Sequence, residues 1–132
     1  MTKKKIILSL VIISLLISLS TITMFIKNIR TESYTIGKTI TDLNHTESFN
    51  IKYDYNSISV NVNVNNSNNN EILNVKIYDP KEILLDEIEV NGNDSINYIN
   101  NFDGIKGNYK IVFNQDNGVA NYNFKIDIYG QN

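Results

Sequence analysis

The stretch Ser57-Ile58-Ser59-Val60-Asn61-Val62-Asn63-Val64-Asn65 alternates apolar and polar residues without a break. Successive side chains of an extended strand point to opposite faces, so Ile58, Val60, Val62 and Val64 share one face and Ser59, Asn61 and Asn63 the other. A helix would scatter the four branched residues around its circumference. The pattern is that of a strand half in a core and half in water, as antiparallel sheets commonly have it.

The same period of two recurs on both sides of this stretch. Phe49, Ile51 and Tyr53 alternate with Asn50, Lys52 and Asp54, and Leu73, Val75 and Ile77 with Asn74, Lys76 and Tyr78. Tyr109, Ile111 and Phe113 form a further face, as do Tyr122, Phe124, Ile126 and Ile128. Weaker strands are expected over residues 34–40, 84–90 and 95–102. Turn chemistry separates these runs. Asn65 to Asn70 is a polar low-complexity loop, and Pro80 presets φ for a β-turn. Asn91-Gly92, Asp103-Gly104 and Asn117-Gly118 can supply the positive φ of tight connections. No helical stripe follows residue 30. The expected fold is all-β, an antiparallel β-sandwich of about eight strands, jelly-roll-like, over residues 46–130.

Asn74-Val-Lys-Ile-Tyr-Asp-Pro80, followed by Gly107-Asn-Tyr-Lys-Ile-Val-Phe-Asn114 and the strand Asn121–Tyr129, resembles jelly-roll-like bacterial surface modules of the pre-peptidase C-terminal type. It is also similar to the GOLD domain, without that domain's cysteine pair or its C-terminal membrane helix. The resemblance covers roughly residues 46–129 at the level of fold. It implies an adhesive or interaction module rather than an enzyme.

The N-terminal segment is written for another solvent. Residues 1–5 are a basic head, and residues 6–26 hold 15 large apolar side chains and no charge. As a helix the run would span roughly 31 Å, the thickness of a bilayer's hydrocarbon core. Lys3, Lys4 and Lys5 outnumber Lys27 and Arg30 beyond it, which places the N-terminus in the cytoplasm and the remainder outside. The reading is a single-pass transmembrane anchor at the cell membrane, with 27–45 as juxtamembrane linker and possible first strand. The alternative is a signal peptide, for which only Ser18-Leu19-Ser20 approaches a cleavage site. Ser14 and Ser18 form a small-xxx-small pair that could bring two helices together.

Composition narrows function. From Thr31 onward 14 Asp and Glu face 7 Lys and no Arg, a net charge of −7. Nucleic-acid binding, which rests on cations neutralising phosphates, is excluded as a class. There is no cysteine, so neither a disulfide framework nor a thiolate metal site can form. The 23 Asn and single Ala match the bias of an AT-rich genome, and a bacterial surface protein is expected. Three glycosylation sequons, at Asn44, Asn65 and Asn93, matter only in a eukaryotic host.

Candidate chemistry is thin. His45 is the only histidine and lies in a polar stretch, which reads as exposed surface. Asp86, Glu87 and Glu89, with Asp94 nearby, form the densest acidic cluster. Calcium needs six to eight converging oxygens, but strand geometry turns Asp86 away from Glu87 and Glu89. Asp103-Gly104 and Asp116-Asn117-Gly118 read as turns. Tyr55, Tyr78, Tyr98 and Tyr129 are candidates for outer faces, where coplanar rings would stack on sugars. No catalytic or metal residue and no cofactor is expected. The expectation is a non-enzymatic, membrane-anchored interaction module that contacts a protein; the alternative is a carbohydrate- or wall-binding module. A protein contact calls for an exposed apolar patch or an open sheet edge.

Overall fold

A computed structural model of the chain describes residues 11–22, 31–68 and 70–131. They fall into two compact units divided between Arg30 and Thr31. In the first, residues 11–22 form an α-helix, α1. No helix among the described residues is long and apolar enough to cross a membrane. The basic head and residues 6–10 and 23–26 of the expected anchor lie outside the described residues. Along α1 the side chains of Val11, Ile12, Leu15, Leu16 and Leu19 are exposed. Ser14, Ser18 and Thr21 donate their hydroxyls to carbonyls three residues earlier, at 2.8–2.9 Å.

The second unit is an antiparallel two-sheet sandwich of eight strands. They are β1 (Ser33–Ile40), β2 (Asn44–Ile51), β3 (Tyr55–Asn66), β4 (Leu73–Tyr78), β5 (Leu84–Val90), β6 (Asp94–Gly104), β7 (Gly107–Gln115) and β8 (Tyr122–Gln131). One sheet runs β1-β8-β3-β6 and the other β2-β7-β4-β5. β1 pairs with β8, β2 with β7, β3 with β6 and β4 with β5, as in one long hairpin rolled over on itself. That order is jelly-roll-like. The unit begins at Thr31, and β1 lies within the span 27–45 read as linker and possible first strand, which also holds the start of β2.

The alternating stretch lies in β3, at the centre of its sheet. Ile58, Val60, Val62 and Val64 are buried, facing Val75, Ile77, Ile111 and Phe113 of the core. Phe113 on β7 stacks on Phe124 of β8 with ring centroids 4.4 Å apart, and on Tyr122 at 5.6 Å. This aromatic group joins the two sheets.

Of the three Gly turns, only Gly118 takes a positive φ, at 82°. In the connection from β5 to β6 that conformation falls on Asn93, at 61°. Gly104 serves close approach instead: a Cβ there would lie 2.6 Å from the Tyr55 carbonyl oxygen. The Pro80 turn is held by Asp79, whose Oδ1 accepts from the amides of Lys81 and Ile83 at 2.8 Å.

Candidate functional site

His45 is half-buried rather than exposed. In β2 it is registered with Phe113 and turns inward between Phe113 and Phe124, at centroid distances of 6.3 and 5.7 Å. Its Nε2 lies 2.6 Å from Glu47 Oε1, which also accepts from Lys38 Nζ at 2.6 Å. Lys38 belongs to β1 and Glu47 to β2, so the group ties the two sheets along that side of the sandwich. Sequence reading missed it because a polar neighbourhood hides which face a strand residue takes. The signal was there: His45 and Glu47 share parity with Phe49 and Ile51.

Glu47 is buried, which by itself raises its pKa; the hydrogen bonds from Lys38 and His45 outweigh this and hold it below the ordinary carboxylate value. Asp127 is lowered by hydrogen bonds from Thr35 and Lys125, and Asp86 by the one from Tyr98. Groups with depressed folded pKa values stabilise above the unfolded pKa and lose that contribution as pH falls through the folded one. Urea midpoints are therefore expected to hold from neutrality to about pH 5 and to fall steadily below about pH 4. Glu47→Gln is expected to start lower and to show a shallower acid limb. An acid limb as steep as the parent's would remove Glu47 from this account.

The acidic cluster divides as strand parity requires. Glu87 faces outward and pairs with Lys76 at 3.2 Å, whereas Asp86 accepts from Tyr98 Oη at 2.5 Å and Asn100 Nδ2 at 3.2 Å. Asp86 thus joins the β5 edge of one sheet to the β6 edge of the other. Burial, then the bond to Asp86, pushes the Tyr98 phenol up to about 12. Among the described residues no group of three or more His, Cys, Asp or Glu side chains could hold a metal ion.

The candidate tyrosines do not assemble a platform. Tyr55 is buried against Gly104 and Gly130, and Tyr98 turns toward Asp86. Tyr78 lies on the sheet containing β4, and Tyr129, 44% exposed, on the other sheet. These four rings therefore share no common face.

Two other features emerge on the sheet β1-β8-β3-β6. Part of its outer face carries polar side chains in cross-strand rows, next to the exposed Ile99 and Tyr129. One row runs Lys125, Asn63, Asn97 and the next Asn123, Asn65, Ser95, across β8, β3 and β6. Between them lies a trough of about 370 Å³. Its floor is the backbone of Phe124, Val64 and Ile96, whose side chains enter the core. The alternating Asn pattern was legible in the sequence, but codon bias accounted for it equally well.

The second feature is β6 itself, an 11-residue strand at the edge of its sheet. Between Asp94 and Asp103 it carries no charged side chain, and Ile99 is 60% exposed. The edge β5 differs, bearing Asp86, Glu87 and Glu89, and charge is a common protection of strand edges.

No family model matches the chain, and no curated protein matches its sequence. The expected likeness to pre-peptidase C-terminal and GOLD modules is thus matched by no family model, and what stands of it is the coarser jelly-roll-like sandwich. Among solved structures the chain is similar to one from Bacillus endospore appendages, which form a family of disulfide-linked pili. That match has a TM-score of 0.54 and 9% identity, and covers 79% of this chain and 92% of that one. It is also similar to the VP2 subviral particle of infectious bursal disease virus, with a TM-score of 0.48 and 14% identity over 79% of this chain and 34% of that one. A CBM4 structure gives 0.45 and 14% identity over 67% and 66%. Identities this low speak for a shared architecture, and only the first score is high enough to carry even that. What that likeness shows is the fold, a jelly-roll-like β-sandwich.

Proposed function

We propose that the chain is a non-enzymatic interaction module, tethered to the cell membrane by its N-terminal segment, with the sandwich on the extracytoplasmic side docking another protein through the β6 edge. The observation that carries this reading is that edge strand. A sheet edge is a template for an added strand, and β6 is long, uncharged along its middle and apolar at Ile99, although the Ser95 and Asn101 amides already donate to Asp94 and Asn100 side chains. Aspartates at both ends would select a partner segment flanked by cations and turn away another acidic copy. The Bacillus appendage chain shows that such a sandwich can serve in a surface assembly. Lacking cysteine, this chain would rely on non-covalent contacts.

A photo-crosslinking residue at position 99 of the full chain in its host is expected to give a discrete protein adduct, and one at Val112 on the opposite sheet none. Ile99→Lys is expected to weaken capture of that partner about tenfold or more, as removal of an apolar anchor at an interface does. Equal adducts from both positions, or none from position 99, would refute the edge as the docking site.

Support for the tether comes from the uncharged run 6–26 and from α1. The hydroxyls of Ser14, Ser18 and Thr21 are spent on the helix's own carbonyls, which lowers the penalty of placing them in lipid. Under alkaline extraction the full chain is expected to stay in the membrane pellet, and a chain beginning at residue 31 to be released. An intact chain recovered in the aqueous phase would end the anchoring proposal. A mature N-terminus just beyond Ser20 would instead make the protein a secreted one.

A further inference from the structure

We propose that the trough across β8, β3 and β6 is a binding site for a short, uncharged oligosaccharide, on the outer face of the sheet and reaching the β6 edge at Ser95 and Asn97. The argument starts from what lines it. Asn63, Asn65, Asn97 and Asn123 present carboxamides, each with two donors and an acceptor, and Ser95 adds a hydroxyl. A ligand that satisfies such walls must itself alternate donors and acceptors along its length, as the hydroxyls of a sugar chain do. An apolar ligand would leave the amides unpaired on losing their water, which disfavours it at every such group.

Charge narrows the class further. The one ionised side chain in the lining, Lys125, lies 2.9 Å from Asp127, which also accepts from Thr35 at 2.7 Å. The ammonium is therefore compensated, and nothing in the trough would favour a phosphate, a sulfate or a uronic acid. Shape agrees. The side chains lining the walls are short except for Lys125, the floor is backbone, and the trough crosses three strands, about 10 Å at ordinary strand spacing. The carboxamides are also partly ordered in advance, since Asn63 Nδ2 donates to Asn61 Oδ1 at 3.3 Å.

The other sheet offers a contrast. Its outer face has one amide row, Asn44, Asn114 and Asn74, which ends at Glu89. Beside that row the Lys76–Glu87 ion pair lies across the surface, with Lys110–Glu82 beyond it.

The test uses the full chain in a sugar-free detergent. Cello-, laminari-, manno- and chito-oligosaccharides serve as probes, with oligogalacturonate as the charged counterpart. Calorimetry is expected to show binding to at least one neutral probe and none to oligogalacturonate. The double variant Asn63→Ala/Asn123→Ala is expected to lose about tenfold in affinity or more, the loss of one or two hydrogen bonds. Asn74→Ala/Asn114→Ala, on the opposite face, is expected to bind as the parent does. Because a variant can fail to fold, the parent is also examined by NMR with the bound probe. Shifts should concentrate in the side-chain amides of Asn63, Asn65, Asn97 and Asn123. Absence of binding to every neutral probe, preference for the charged polymer, or shifts centred elsewhere on the domain would each overturn the proposal.

Discussion

Phe113→Ala is expected to cost about 3–5 kcal/mol of folding stability, the range for truncating a fully buried aromatic side chain. Phe113 is inaccessible to solvent and sits where the two sheets meet, stacked on Phe124 and Tyr122 and flanked by His45. Its removal deletes the contacts that join β7 to β8 across the core. The ring pairs contribute beyond their area, by about 0.5–1.5 kcal/mol each in comparable cases. A small domain has about 5–15 kcal/mol in all, so the variant is expected to be near the limit of folding at physiological temperature. Urea titration followed by circular dichroism measures this. The midpoint should fall sharply with the slope nearly unchanged, since the same surface is exposed on unfolding. A loss under about 1 kcal/mol would mean that the core collapses easily around the gap, and that the aromatic stack is not what fastens the sheets.

Gly104→Ala is expected to destabilise by about 1–3 kcal/mol, as overpacking does. The added methyl would meet Tyr55 at its carbonyl oxygen (2.6 Å), Cβ (2.7 Å) and carbonyl carbon (2.9 Å). Backbone cannot swing aside as a side-chain tip can. From the other side the Tyr55 ring presses on Gly130, where a Cβ would lie 2.6–2.8 Å from ring atoms. Tyr55 is thus held between glycines of β6 and β8, next to the register shift between Tyr55 and Ile58. Gly130→Ala in a Tyr55→Leu background should cost less than in the parent, because the clash is with the ring. A double-mutant cycle reads this coupling directly. Additive effects in the cycle, or a Gly104→Ala protein as stable as the parent, would show that the clasp has room to relax.

These sites also show where local reading stops. Residues 57–65 alternate so regularly that β3 could be assigned from the chain alone, and Leu73–Ile77 and Tyr122–Ile128 nearly as well. In the sequence Asp103-Gly104 has the composition of a turn. The role of Gly104 depends on Tyr55, nearly fifty positions away in sequence, and no local pattern encodes that approach. The polarity of its neighbours points His45 to the surface, whereas its side-chain direction follows from the register of β2 on β7. For the candidate sites, the Asn alternation was visible, but its arrangement in rows was not. A row needs three strands to be aligned, and the order β8-β3-β6 brings together segments far apart in the chain.

By itself the sequence determined that the chain beyond residue 31 is all-β and which residues of the regularly alternating strands face the core, because burial of apolar area and the period of two are local properties. It also settled the acidity of the domain and the absence of thiol chemistry. Only the tertiary structure decided which strands are neighbours, which of them remains an open edge, and which polar side chains meet. Those choices follow from long-range pairing and close packing between sheets, where a residue's role is set by partners tens of positions away.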